Sequence, residues 1–531
     1  MRKRGPWVAL PLVAGLLAAL LTGCGLIGDD GAGEGEPIVV GMTDEVLATD
    51  PASGYDPGSW LVFNNVFQSL LSFPPGSSEP QPEAAENCGF TDRVSQRFTC
   101  TLRDGLTFSN GNELTAQDVK FSFDRTLRID DPDGPAVLLS SIDRIETPDD
   151  TTVTFHLDRP DATFPQKIAS GAGSIVDHRS YPPDELRTDG EADGSGPYTL
   201  ESYTADEAVF GVNSDYRGPA EVRNSGVTMR LFHGDQTGLR DAVQSGAVDV
   251  AYRGLAAEDL ADLELSTISG EDGLQVVDGT SAEVQHMVFN MADPVAGDPG
   301  VRRAIAHLID RGILVRDVYQ RTAEPLYSIV PAGITGHNTA FYDAYGDVPQ
   351  PARAEAALRE SGITEPVELT LWVTPTRFGP DTEAAFEYIA RQLNDSGLFD
   401  ATVRSVPADE FAEGVENGDF GVYVRGWVPD YPDPDNFTAP FFGADNILAN
   451  DYDSPRITEE LIPRTARESD RARTVEDFGA LQDIVAEELP LIPLWQGKQY
   501  AVAAEEISGL QWALDASTVF RFWEITKSPA E

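Results

Sequence analysis

Two hydrophobic periods alternate along the chain. In TTVTFHL (151–157) every second residue is apolar, the spacing of a strand with one buried face. TAQDVKFSFDRTL (115–127) instead sets Val119, Phe123 and Leu127 on one side of a helix. Thr115 stands before that helix with Asp118 three residues on, a capping arrangement. An opening strand is predicted at 37–43 (PIVVGMT) and a hairpin from GSGPYTLESY and AVFGVN. The helix-like GLRDAVQSG then leads into the short strand VDVAY. A seam falls at VQHMVFN (284–290), and beyond it the alternation becomes regular. Val301, Ala304, Ile305 and Leu308 share one side of a helix over 301–309. Helix 352–361, strand 367–374, helix 382–395 between Asp381 and Gly397, strand 401–406, helix 408–417 and strand 420–425 follow. Helix 475–488 starts after Thr474 and stops at Pro490. Such βαβ alternation predicts a largely parallel sheet covered by helices on both faces. The final forty residues turn strand-rich again, like the first part of the chain. A second domain inserted late in a first is expected, with the chain crossing between them twice; 531 residues exceed what one core usually serves.

The N-terminus breaks both periods. Arg2, Lys3 and Arg4 precede an apolar run over 6–21 that ends in Leu21-Thr22-Gly23-Cys24. A run this short with a small-residue exit predicts a signal peptide over 1–23 rather than a membrane span. Leu-Thr-Gly-Cys matches the bacterial lipobox, in which Cys24 is acylated and becomes the new N-terminus; two acyl chains suffice for stable anchoring. Residues 24–36, rich in glycine and acids, read as a flexible tether. In an exported chain Cys88 and Cys100 are expected to close a disulfide worth roughly 3 kcal/mol. Two thiolates on a metal, or two free thiols, are the alternatives.

A net charge of −50 argues against nucleic acid or an anionic membrane surface as partner, and otherwise describes a solvated acidic exterior. Enzymatic templates fail: there is no GxSxG elbow, no GxxxxGK[ST] loop, and the histidines (156, 178, 233, 286, 307, 337) form no ligand cluster. No catalytic residue, metal or cofactor is assigned. One geometric hint remains. In open α/β sheets ligands bind beyond the carboxyl ends of strands. Strand 367–374 runs into Pro375-Thr376-Arg377, and strand 420–425 into Gly426-Trp427-Val428-Pro429-Asp430, so an arginine and an aspartate leave one edge together.

LRDGLTFSNGNELTAQDVKFSFDR, GSGPYTLESY, LRDAVQSGAVDV, FN…DPGVRRAIAHLIDR, GWVPDYPDPDNF and LQDIVAEELPLIPLW occur in this order. With the lipobox they resemble the peptide/nickel family, family 5, of bacterial extracellular solute-binding proteins that serve ABC importers. The resemblance implies a two-lobe periplasmic-binding-protein (Venus-flytrap) fold, α/β and type II-like. It implies lobe I over 37–283 with an extra subdomain at about 71–190, lobe II over 284–497, and a return to lobe I over 498–531. The activity implied is capture, not catalysis, by a monomer lipid-anchored through Cys24 on the extracytoplasmic face of the cell membrane, with ABC permease subunits as partners. Asp430 falls where family members hold a peptide's α-ammonium group, and Arg377 where dipeptide binders hold its carboxylate. Trp427 and Tyr431 are expected either to wall the cleft or to fill core. Asp433 and Asp435 are expected to shape or solvate the turn. A nickel chelate, an oligosaccharide or another small solute is the alternative cargo, and a surface sensor lipoprotein the alternative role.

Overall fold

The computed structural model describes residues 35–269, 273–320, 322–375, 377–444 and 446–528. The signal segment, Cys24 and all but the last two residues of the tether lie outside the described residues, as does Thr376. No helix among the described residues is long and apolar enough to cross a membrane.

The predicted alternation from residue 299 onward is present. Helices Pro299–Leu308, Pro351–Glu360, Thr382–Asp395, Ala408–Glu416 and Val475–Glu488 separate strands Val367–Val373, Phe399–Ser405 and Val422–Trp427. Among the described residues these strands join a sheet of 11. Its order runs Phe399–Ser405, Val367–Val373, Val422–Trp427, Leu274–Phe289, Leu491–Ala504, Val250–Tyr252, Ile38–Met42, Val227–Leu231, Glu207–Val212, Tyr198–Tyr203, with Ala323–Pro325 beside Leu491–Ala504. The expectation of a largely parallel sheet needs correcting. Val367–Val373 is parallel to both neighbours, but Leu274–Phe289 is antiparallel to Val422–Trp427 and to Leu491–Ala504. The cause is topological: the chain enters one lobe on the first long strand and leaves it on the second, so the two must run in opposite directions.

The two long strands pair in two stretches. Leu274–Thr280 lies against Lys498–Ala504, and Val284–Val288 against Leu491–Gln496, with Ser281–Glu283 outside the ladder between them. On one side of this break the core gathers Val288, Leu371, Phe386 and Leu491; on the other it gathers Ile38, Phe63, Phe210 and Ala501. A third cluster, with Phe98, Phe123, Phe155 and Phe164, fills an antiparallel sheet of four strands: Ala85–Phe90, Arg97–Leu102, Thr152–Leu157 and Ile142–Glu146. Cys88 and Cys100 face each other across its first strand pair and are joined as a disulfide. The helix over Ala116–Ile129 starts where expected, with the Thr115 N–H and hydroxyl both donating to the Asp118 carboxylate at 2.8 and 2.9 Å. Phe123 meets Phe155 edge to face at 5.1 Å, which seats the helix on the sheet.

Among the longer described helices, two are not predicted by the sequence reading. Pro57–Val66 is buried on most sides, so it has no polar stripe to mark a period. Ala257–Ser269 is the other. The strand-rich tail is also only partly realised: beyond Ala504 the strands are the short Ile507–Ser508 and Thr526–Lys527. There Phe520 and Phe522 insert singly into the core, and buried Arg521 binds Asp515 at 2.9 Å and the Phe73 carbonyl at 2.8 Å.

Candidate functional site

Strands Val367–Val373 and Val422–Trp427 are parallel neighbours, with Leu371 opposite Val422. Their carboxyl ends therefore open on one edge, and both following loops line a cavity of about 940 Å³ between the lobes. Arg377, Arg425, Trp427 and Asp430 reach it from one lobe, Tyr55 and Trp60 from the other.

The loop after Trp427 is held from within. Asn436 is its hub: its side-chain oxygen accepts from the Asp430 N–H and the Trp427 indole N–H, both at 3.0 Å, and its Nδ2 donates to Asp430 Oδ2 at 2.9 Å. The Tyr55 hydroxyl, arriving from the opposite lobe, donates to Asp430 Oδ1 at 2.6 Å. Asp430 is 8% exposed and has no ion-pair partner among the described residues. Burial raises its pKa, while the bonds from Tyr55 and Asn436 act in the opposite sense. The Tyr55 hydroxyl is itself pushed far up by burial and by Asp430, so it stays a donor. A buried carboxylate with two neutral donors, and with Lys167 nearby but engaged by Asp161 at 2.8 Å, is a site that a ligand's positive charge would complete.

Arg377 stands on the other loop, exposed, its guanidinium 5.9 Å from the Phe378 ring centroid and without an ion-pair partner among the described residues. That loop is anchored one residue on. Gln285 Nε2 and Thr382 Oγ1 donate to the Phe378 carbonyl at 3.1 and 2.8 Å. Gly426 makes the approach possible, because a Cβ there would lie 2.9 Å from the Phe378 ring.

Of the two aromatic candidates, Trp427 lines the cavity and Tyr431 does not. Tyr431 is 3% exposed and packs into the core of the four-stranded sheet, across the lobe boundary. The ring is seated among the apolar side chains of that sheet, away from the cavity that Asp430 lines. Asp433 is likewise not solvated. It is 3% exposed, receives the Arg471 guanidinium at 2.7 and 2.8 Å, and caps the turn through the Asp435 N–H at 2.9 Å. Asp435 is half-buried, and burial pushes it up to about 6 against the pull of Arg471 and Lys167.

Sequence reasoning missed three groups of the site, two lining the cavity and Asn436 buried behind its loop. Asn436 lay inside GWVPDYPDPDNF, where no spacing rule singles it out. Tyr55 belongs to a loop distant in sequence. Arg425 closed a strand-like stretch, FGVYVR, in which nothing singles it out. Elsewhere Asp118, Asp177 and His178 stand together as ligand types for a metal. Their oxygens are already engaged, Asp118 by Thr115 and His178, Asp177 by Asn110, Asn112 and Arg179.

Comparison with known proteins bears on this geometry. The model of the bacterial extracellular solute-binding proteins, family 5, matches residues 79–448. The chain is 24% identical to a dipeptide-binding protein of Pseudomonas aeruginosa, over 94% of this chain and 96% of that one. It is 23% identical to a di/tripeptide-binding protein of the same species, over 84% and 88%. Among solved structures, a periplasmic binding protein of Helicobacter pylori in complex with the peptide STSA superposes with a TM-score of 0.75 at 21% identity, covering 93% of this chain and 98% of that one. A dipeptide-binding protein from Pseudoalteromonas in complex with Met-Leu gives 0.77 at 19% identity, over 93% and 100%.

Proposed function

The chain belongs to family 5 of the bacterial extracellular solute-binding proteins and has their two-lobe fold, and from that membership we propose that it captures a short peptide between its lobes and passes it to an ABC importer. One observation carries the choice of a peptide. Asp430 and Arg377, opposite in charge and each without a protein ion-pair partner among the described residues, line the same cavity. A zwitterion would satisfy both: its ammonium at Asp430, its carboxylate at Arg377. Relatives named for dipeptide and tripeptide binding support the same reading.

The mechanism follows from the two-sided construction. Tyr55 and Asp430 come from opposite lobes and share one hydrogen bond. Asp430 and Arg377 hold the solute on one lobe, and Tyr55 and Trp60 meet it from the other only when the lobes close, so the solute stabilises the closed form by its differential affinity. The loop is already fixed by Asn436 and by its prolines, so little ordering is left to offset on binding. With this reading go the lobe assignments 37–283, 284–497 and 498–531, the subdomain at about 71–190, a monomeric state, and attachment to the outer face of the cell membrane through Cys24. The break at Ser281–Glu283 supports the first boundary. In calorimetry with alanyl-alanine, Asp430→Ala is expected to weaken binding by roughly 2–5 kcal/mol, because an ammonium buried at that point would lose its partner. Unchanged affinity would remove the amine anchor.

A further inference from the structure

The anionic end of the cavity holds more positive charge than one carboxylate needs. Arg425 lines it beside Arg377, on the strand that leads to Asp430. Its guanidinium has no hydrogen bond and no ion pair among the described residues. Burial lowers its pKa, and the neighbouring Arg377 charge lowers it further. The other cavity cations are differently placed. Arg253 is neutralised by Asp44 at 2.7 Å, and Lys498 lies 3.8 and 3.9 Å from Asp278 and Glu324. Asp381, close in sequence to Arg377, forms no ion pair with it; its carboxylate faces the Ala257 N–H at 3.5 Å. Arg377 and Arg425 therefore form a pair of like charges with no ion-pair partner among the described residues.

Both are held in place. Arg425 stands within the strand Val422–Trp427, paired in register with His286 on the neighbouring strand. Arg377 is tied through Phe378 to Gln285 and Thr382. Two neighbouring guanidiniums, Arg377 exposed and Arg425 partly out of water, repel each other, and a second negative charge between them relieves that repulsion more than a single carboxylate can.

Resting on the peptide reading above, we propose that Arg425 is a specificity-determining residue and that the preferred solute is a short peptide whose C-terminal residue is acidic. Its terminal carboxylate and its side-chain carboxylate would engage the two guanidiniums together, with the α-ammonium at Asp430.

The test compares Ala-Glu with Ala-Gln, and Ala-Ala-Glu with Ala-Ala-Gln, by calorimetry on the ligand-freed protein and on Arg425→Gln. The acidic member of each pair is expected to bind about tenfold or more tightly to the wild-type protein, the size of one partly shielded ion pair. That ratio is expected to fall to near one in Arg425→Gln. Equal binding of both members to the wild type overturns the inference and leaves the peptide reading standing. A preference that persists in Arg425→Gln overturns the role of Arg425. Failure of all four peptides to bind the wild type overturns the peptide reading, and this inference with it.

Discussion

Asp430 and Asp435 lie five residues apart in one loop, yet their surroundings give them different work. Asp430 meets neutral donors and a cavity. Asp435 faces Arg471, Lys167, Asp433 and Asp161 at the place where the loop packs on the other lobe. The pH behaviour of Asp435 follows from its burial. The unfolded chain releases its proton near 3.8, whereas the folded chain keeps it up to about 6. The folded form thus binds more protons between those values, and its stability from this group falls as pH rises through that window, then levels off. Asp435→Asn cannot titrate, so its stability relative to wild type is expected to rise between pH 4 and 6 and stay constant above. Urea unfolding of both proteins at pH 4.5 and 7.5 measures the difference; a constant gap would contradict the assignment. How legible such residues are depends on what sets their role. Asp430 could be picked out because a strand end and a proline locate it. Arg425 and Tyr55 could not, because their meaning lies in which partners they lack or find across the cavity.

Elements were legible in proportion to how one-sided their burial is. Helix Thr382–Asp395 buries Ala385, Phe386, Ile389 and Leu393 along one stripe, and its predicted ends agree with the observed ones. Pro57–Val66, buried nearly all round, gave no period to detect. Leu274–Phe289 was read only as a seam at 284–290, since DGTSAE interrupts its apolar run at the point where the strand leaves the ladder. The strand pair around Cys88 and Cys100 makes a prediction at this scale. The disulfide closes a short loop at the outer edge of the four-stranded sheet. Replacing both cysteines by serine is expected to cost about 3 kcal/mol of stability on the chain-entropy argument. Chemical denaturation with the wild type kept oxidised tests it, and a loss near zero would mean that the sheet needs no staple.

At the scale of the whole molecule, the lobes are joined by apolar as well as polar contact. Tyr431 crosses from the loop of one lobe into the core of the other, and the Ala162 N–H donates to the Ala466 carbonyl at 2.8 Å. Tyr431 does not line the cavity, so removing it should affect closure and not recognition. Tyr431→Ala is expected to weaken peptide binding by about 3 kcal/mol or more, in the range of large aromatic truncations. Small-angle scattering should show a larger radius of gyration for the variant at sub-saturating peptide. An affinity equal to wild type would show that this ring is not needed for closure. The two-lobe arrangement itself was legible from the order of the segments, but not the mixed strand directions. Those follow from two strands passing each other, which no local period records.

On the proposed closure, the interruption at Ser281–Glu283 would make the molecule a lever. The fulcrum lies on the central strands, close to the cavity, while Phe399–Ser405 and Tyr198–Tyr203 form the two far edges of the same sheet. A small rotation about the middle becomes a large travel at those edges. Paired reporters placed there would turn occupancy of the cavity into a change of distance, without touching a single residue that meets the solute.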